Sequence, residues 1–121
     1  DAFAASQTAT AIRLIEADLF PSFVFCHGPN GRNWFARSPS APRKWFPQDA
    51  LAPESFAIGV QFGGHADETM PRRIDTDAWF DRWDADRFDV LEQTMRTGSD
   101  ETLTLICIID SKMLDADADR A

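Results

Sequence analysis

The sequence predicts an α+β domain: an antiparallel sheet of about five strands with an N-terminal helix packed on one face. The first indication is a hairpin across residues 22–38, where two runs rich in aromatic and β-branched residues flank a turn at residues 28–31. Pro29 presets the turn dihedral and Asn30-Gly31 supplies positive φ, so a tight reversal is favoured. The second is a run of β-forming residues, 102–109, which we pair with residues 87–96 as another hairpin. Both faces of this run carry apolar residues, which predicts a central strand.

The N-terminal segment has the pattern of an amphipathic helix. Ser6 is expected to cap a helix that runs from Gln7 to about Asp18, and Pro21 follows as a stop signal. One stripe of this helix is formed by Ala9, Ile12, Ile15 or Glu16, and Leu19. This stripe is short, so the helix should pack on the sheet and not stand alone.

The middle of the chain is less regular. Residues 38–55 form a proline-punctuated connector, and Phe56 to Phe62 then alternates apolar and small or polar residues, which predicts a half-buried strand. A short strand is expected at 72–75 and a capped helical turn at 76–80. The predicted organisation is therefore a helix over residues 1–20, one α+β domain over residues 21–112, and an acidic tail over residues 113–121.

Charge and composition narrow the classes of function. The net charge is -8 and lies entirely in residues 62–121, which argues against direct binding of nucleic acid by this segment. No apolar run approaches the ~20 residues of a membrane helix, and no secretory signal is visible. Two cysteines are too few for a disulfide framework, so we expect reduced thiols and a cytoplasmic protein. The chain starts with Asp1, which suggests a piece of a longer protein.

The candidate residues for metal binding or nucleophilic catalysis are Cys26, His27, His65 and Cys107. Cys26 and His27 are adjacent in a predicted strand, so their side chains should point to opposite faces, and no metal-ligand spacing is present. Burial in apolar strands should raise the pKa of both thiols and make them poor nucleophiles. The sequence thus predicts no metal, no cofactor and no catalytic residue.

A ligand pocket is predicted between the connector and the strand Phe56 to Phe62. Ala57 and Gly59 leave space on one side of that strand, and arginines near tryptophans suit an anionic or planar ligand. The predicted lining and capping residues are Trp34, Trp45, Phe56 or Ile58, and Arg37 or Arg43. The alternative is that Trp34 and Trp45 fill this space and leave no cavity.

Several phrases together resemble the region that follows the catalytic domain in bacterial ImmA/IrrE-type zinc metallopeptidases. The phrases are residues 6–14, the hairpin segment 31–38, Ala78-Trp79-Phe80, and Leu91-Glu92-Gln93 before the strand at 102–105. In that family the first phrase looks like the end of a helix-turn-helix-like segment, and the rest looks like a GAF-like domain. The resemblance therefore implies a GAF- or profilin-like sheet.

The catalytic motif of that family, His-Glu-x-x-His, is absent from this sequence. The resemblance implies a non-catalytic regulatory or sensory domain that binds a small ligand or a protein partner and tunes an attached peptidase acting on a transcriptional repressor. The alternative is a ligand-free structural domain that forms homodimers through exposed tryptophans among Trp34, Trp45, Trp79 and Trp83.

Overall fold

A computed structural model describes residues 2–48, 50–62, 70–97 and 100–115. Its helices and strands are α1 Ala2–Ala17, β1 Ser22–Gly28, β2 Gly31–Arg37, α2 Phe56–Phe62, β3 Arg72–Asp75, β4 Asp89–Thr97 and β5 Glu101–Ile108. The strands form one antiparallel sheet in the order β2-β1-β5-β4-β3. The predicted α+β fold class is confirmed, whereas the GAF- or profilin-like label stays a prediction.

Both predicted hairpins are present. In the first, β1 pairs with β2 from Phe23↔Arg37 to Gly28↔Gly31, with an irregularity between Cys26 and His27. Gly31 has the predicted positive φ, 118°, whereas the prediction of positive φ at Asn30 is wrong. In the second, β4 pairs with β5 across all eight residues of β5. The turn that joins these two strands falls partly outside the described residues.

Strand β5 lies at the centre of the sheet because both of its faces are apolar. Leu103 faces α1, and Ile106 faces the opposite side, where it is fully buried. A strand that must bury both faces needs a neighbour on each edge and a layer on each side. The central position of this strand was predicted from the same pattern.

Helix α1 differs from the prediction at its start. The prediction that Ser6 caps the helix is wrong, since helical backbone already runs from Ala2. At the other end, Asp18 takes a left-handed φ of 53° and its N–H donates to the carbonyl of Ile15. Asp tolerates this conformation better than most residues, so the helix ends before Pro21 is reached.

The two faces of the sheet are covered by different material. On one face, α1 contributes Ile15 to a small cluster with Val24, Cys26 and Leu103. The other face carries a larger, aromatic-rich core covered by the connector and α2. Its bulkiest members are Phe23, Phe25, Trp45, Trp79, Phe80, Ile106 and Met113.

The prediction of a strand at Phe56 to Phe62 is wrong, because this segment is the helix α2. Its buried residues, Ala57, Val60 and Gln61, follow helical spacing and face the sheet. Ser55 acts as a cap, since its hydroxyl accepts a hydrogen bond from the Ile58 N–H at 3.3 Å. Seven residues are too few to separate the two periodicities, and contacts of the Ala57 and Ile58 N–H groups with Glu92 and Ser55 favour the helix.

The segment after β5 contributes to the core. A 3-10 helix at Ser111–Leu114 places Met113 in full burial, and the indole Nε1 of Trp45 donates to the Met113 carbonyl at 2.7 Å. The packed domain therefore extends one residue past the predicted boundary at 112. Of the predicted acidic tail, residues 116–121 lie outside the described residues.

Replacing Trp45 by alanine should destabilise the domain by about 3–5 kcal/mol, because the side chain is fully buried and the site is closed by surrounding aromatic rings. The matched control is Trp83→Ala, since Trp83 is 58% exposed and should cost no more than about 1 kcal/mol. Urea unfolding followed by far-UV circular dichroism measures both. Equal losses in the two variants would contradict the placement of Trp45.

Candidate functional site

The structure does not bring the two predicted pocket tryptophans together. Trp34 packs beside the small cluster under α1, whereas Trp45 lies in the aromatic core on the opposite face of the sheet. Successive residues of β2 alternate between the faces, so Trp34 and Phe35 separate in this way. The prediction of one cavity lined by both tryptophans is therefore wrong in its geometry.

Trp45 fills the space in which the pocket was predicted. Its ring lies 6.0 Å from that of Phe80 and 5.9 Å from that of Phe88, in edge-to-face arrangements. The Lys44 ammonium lies 5.6 Å from the ring centroid of Trp45, and the Arg82 guanidinium lies 5.4 Å from it. The alternative that Trp34 and Trp45 fill this space together thus holds for Trp45 only, since Trp34 packs with the other cluster.

The predicted cationic caps have different surroundings. Arg37 donates from Nη1 to the Pro42 carbonyl at 2.9 Å, and its guanidinium lies 5.6 Å from each of the rings of Phe23 and Phe35. Partial burial lowers the pKa of Arg37, helped by the nearby charge of Arg43. Arg43 itself is exposed. Arg37 therefore ties the connector to the hairpin.

The two predicted lining residues of the middle segment lie on α2. Phe56 and Ile58 are both half-buried, and the Arg72 guanidinium lies 5.1 Å from the Phe56 ring. Neither is in a strand that faces the connector. The residues predicted to form the pocket therefore lie in different places: Trp45 in the core, Arg43 at the surface, and Phe56 and Ile58 on α2. No described cavity is shared by them.

A cavity of about 260 Å³ does exist, on the other face of the sheet, between α1 and the strands. The helix side of this cavity is lined by Gln7, Thr10, Ala11 and Leu14, and the sheet side by Val24, Gln93, Met95, Leu103 and Leu105. The lining is mostly apolar, and the cavity is partly enclosed. Among the cavities of the described residues, this one has the character of a small-molecule site.

The polar groups of this cavity are poorly satisfied. The Gln7 Nε2 donates to the Met95 sulfur at 3.3 Å, and a thioether is a weak acceptor. The Gln7 Oε1 is buried and has no hydrogen-bond partner. A buried amide oxygen without a partner costs free energy, so the Gln7 side chain would gain from a ligand that offers a donor.

A buried carboxylate, Glu92, organises the opposite face. Its Oε1 accepts from the Trp79 indole N–H at 2.6 Å and its Oε2 accepts from the backbone N–H of Ala57 at 2.7 Å. The Thr94 hydroxyl also lies 3.4 Å from Oε2. Burial raises the pKa of Glu92, and these hydrogen bonds oppose that shift. The group is therefore fully engaged in holding α2 and Trp79 to the sheet.

His27 belongs to the same face and is almost completely buried. Its ring lies 5.8 Å from that of Trp79 and 6.3 Å from that of Phe25, while Nδ1 has no hydrogen-bond partner. Burial, assisted by the charge of Arg32, lowers the pKa of His27 to about 4. The imidazole is thus neutral at pH 7. His65, the other predicted candidate, lies outside the described residues.

The two cysteines behave as the sequence predicts. Burial raises the pKa of Cys26 to about 11 and that of Cys107 to about 11, so neither thiol is ionised near neutral pH. Cys26 faces α1 and His27 faces the aromatic core, which confirms that the two side chains point to opposite faces. In the described ranges, no group of three or more His, Cys, Asp or Glu residues could hold a metal ion.

The four tryptophans differ in their availability for an interface. Trp45 and Trp79 are buried, and Trp34 is half-buried. Trp83 is exposed, with the Arg87 guanidinium 4.9 Å from its ring centroid. Of the four tryptophans named for a dimer interface, Trp83 is thus the exposed one.

Sequence reasoning did not identify the cavity beneath α1, because three of its nine lining residues are polar. Gln7, Thr10 and Gln93 read as solvent-facing positions, and the apolar stripe was drawn through Ala9 and Leu19, both of which are exposed. The available signal was the small residue Ala11 between Gln7 and Ile15, at helical spacing on one face.

No family model, no curated protein and no solved structure matches this chain. Among the residues that the structure describes, no helix is both long enough and apolar enough to span a membrane.

His27→Phe should flatten the pH dependence of stability between pH 6.5 and about 4. Unfolded histidine has a pKa near 6.5, whereas that of folded His27 is about 4, so the unfolded chain binds the extra proton across this range. The stability of the natural protein therefore falls as the pH is lowered. Urea unfolding at pH 7 and pH 5 should show a smaller loss in H27F.

At pH 7, the same variant should be as stable as the natural protein or more stable, because it removes a buried nitrogen that lacks a partner. An identical loss between pH 7 and pH 5 in both proteins would contradict the buried, neutral state of His27.

Proposed function

We propose that this chain is a non-catalytic regulatory domain that binds a small ligand in the cavity between α1 and the sheet. The observation that carries the proposal is the cavity itself, about 260 Å³ in volume, partly enclosed and mainly apolar. Sites of this kind combine apolar walls with a few polar groups that orient the ligand. Gln7, Thr10 and Gln93 supply those groups here.

The rigid support of the site favours the same function. Val24, Leu103 and Leu105 belong to the two central strands, β1 and β5, which are paired with neighbours on both edges. The opposite face is closed by Trp45 and by the Glu92 hydrogen bonds. One wall of the cavity is therefore fixed, and the other is a single helix.

The second part of the proposal is that the domain regulates an attached zinc peptidase that acts on a transcriptional repressor. Its support is the resemblance to the region after the catalytic domain of ImmA/IrrE-type proteins, carried by residues 6–14, 31–38, 78–80 and 91–93. The proposal includes a cytoplasmic location, which suits the free thiols of Cys26 and Cys107. The negative charge of residues 62–121 supports a small molecule or a protein as partner over nucleic acid.

Ala11→Phe should abolish binding of small apolar molecules, because the added ring occupies the cavity that Ala11 lines. The matched control is Ala9→Phe, the same substitution at an exposed position of the same helix. Toluene is the probe, and its binding is followed by amide chemical shifts of Val24, Leu103 and Leu105 in two-dimensional NMR. These shifts should move in the natural protein and in A9F and stay unchanged in A11F.

If toluene still changes these chemical shifts in A11F, the binding site lies elsewhere. The absence of any shift at millimolar toluene in the natural protein would remove the proposed site.

The gene that encodes this chain should carry His-Glu-x-x-His upstream of Asp1 in the same reading frame, because two histidines and a glutamate at helical spacing are what a zinc peptidase of this type requires. Sequencing of the full reading frame provides the check. A frame without the motif removes the peptidase part of the proposal and leaves the ligand site to be judged by the toluene experiment.

A further inference from the structure

Among the described side chains of helix α1, Ile15 is the buried one, and Ala11 and Ile12 pack partly against the same cluster. The C-terminal end of the helix combines this burial with hydrogen bonds to the connector. There Ile15 is buried against β1 and β5, and the Asp18 carboxylate accepts hydrogen bonds from the Ser40 hydroxyl at 2.6 Å and from the Ser40 N–H at 3.2 Å. Between Gln7 and Leu14 the helix lies over the cavity. The one hydrogen bond across this gap among the described residues is the weak contact from Gln7 to the Met95 sulfur.

We infer that the ligand is a compact, uncharged and mainly apolar molecule with one hydrogen-bonding group, and that its binding holds the Gln7–Leu14 part of α1 against the sheet. This inference rests on the proposed function and adds to it the chemical class of the ligand and the element that responds.

The residues that line the cavity indicate an uncharged ligand. None of the nine described lining side chains is ionisable, so a charged group placed there would lose its hydration and gain no counter-charge. A neutral molecule pays no such cost. The apolar majority of the lining favours an apolar body, which gains by leaving water.

The size of the ligand follows from the volume of the cavity. An apolar protein cavity of about 150 Å³ accepts benzene, and sites for drug-sized ligands start at about 300 Å³. The cavity beneath α1, at about 260 Å³, lies between these two cases. A bicyclic aromatic molecule, or an aliphatic one of similar bulk, therefore fits better than a nucleotide or a peptide.

The single polar group follows from Gln7. The Nε2 of this side chain donates only to a weak sulfur acceptor, and its buried Oε1 has no partner. If a ligand donor binds Oε1, the oxygen gains a hydrogen bond, and loss of the contact with sulfur costs little free energy. A ligand N–H or O–H is the complementary group. A purely apolar ligand of equal size leaves Gln7 as it is.

The response of α1 follows from the position of the cavity. A ligand there touches the helix on one side and β1, β4 and β5 on the other, so it binds best when the helix is docked. A ligand can shift a conformational equilibrium only by its difference in affinity between the two states. Contact with both walls supplies that difference, while the attachment at Ile15 and Asp18 keeps the far end of the helix in place.

The test uses indole as the neutral probe with one N–H donor and indole-3-acetate as its charged analogue, with binding measured by NMR titration. Indole should bind at least about tenfold more tightly than indole-3-acetate. Hydrogen exchange of the Gln7–Leu14 amides should slow when indole is bound, and the exchange of β5 amides should not change. Gln7→Leu should weaken indole binding and leave toluene binding unchanged.

The outcomes separate this inference from the proposed function. If toluene binds and A11F blocks it, but indole-3-acetate binds as tightly as indole, the ligand class is wrong and the site stands. If indole binds without slowing exchange in Gln7–Leu14, the role of α1 is wrong. If neither toluene nor indole binds, the proposed function itself fails.

Discussion

The buried carboxylate of Glu92 is the interaction on which one half of this structure depends. It accepts hydrogen bonds from the Trp79 indole and from the Ala57 backbone, so one side chain of β4 fixes both α2 and the turn that follows β3. Burying a carboxylate is costly unless its oxygens are well satisfied, and here both are. Loss of the group would leave two buried donors unpaired. The ring of Trp79, stacked 4.9 Å from that of Phe25, carries the same constraint into the core.

This arrangement makes the two faces of the sheet unequal. The aromatic face is closed by large side chains, with Trp45 occupying the space beneath the connector and Met113 supplying the acceptor for its indole. The α1 face is covered by one helix, which packs on the strands through Ile15, Ile12 and Ala11 and leaves a cavity beside these contacts. Such a gap forfeits packing energy unless something occupies it. The two faces of the sheet therefore differ in how completely they are packed.

The sequence failed for the candidate site because a pocket is a property of packing. The residues predicted to form it have separate surroundings in this fold, because Trp45 packs in the core, Arg37 contacts the connector and Arg43 is exposed. Neighbouring residues of a strand point to opposite faces, so Trp34 and Phe35 lie on different faces of the sheet. Trp45, in the connector, packs on the face that carries Phe35 and is therefore separated from Trp34. The cavity beneath α1 includes Gln7, Thr10 and Gln93 in its lining, and polar residues of this kind do not suggest a pocket in the sequence.

The sequence by itself determined the order of most elements. Turn chemistry at Pro29-Asn30-Gly31 fixed the first hairpin, and the two apolar faces of residues 102–109 placed that strand at the centre, because local dihedral preferences and alternation act over a few residues. Only the tertiary structure decided that Phe56–Phe62 is a helix, since its seven residues fit both periods and the choice rested on contacts with Glu92 and Ser55. The same holds for the cavity beneath α1. Its existence depends on how a helix packs on a sheet, which involves contacts between residues far apart in the sequence, such as Ile15 with Leu103 and Asp18 with Ser40.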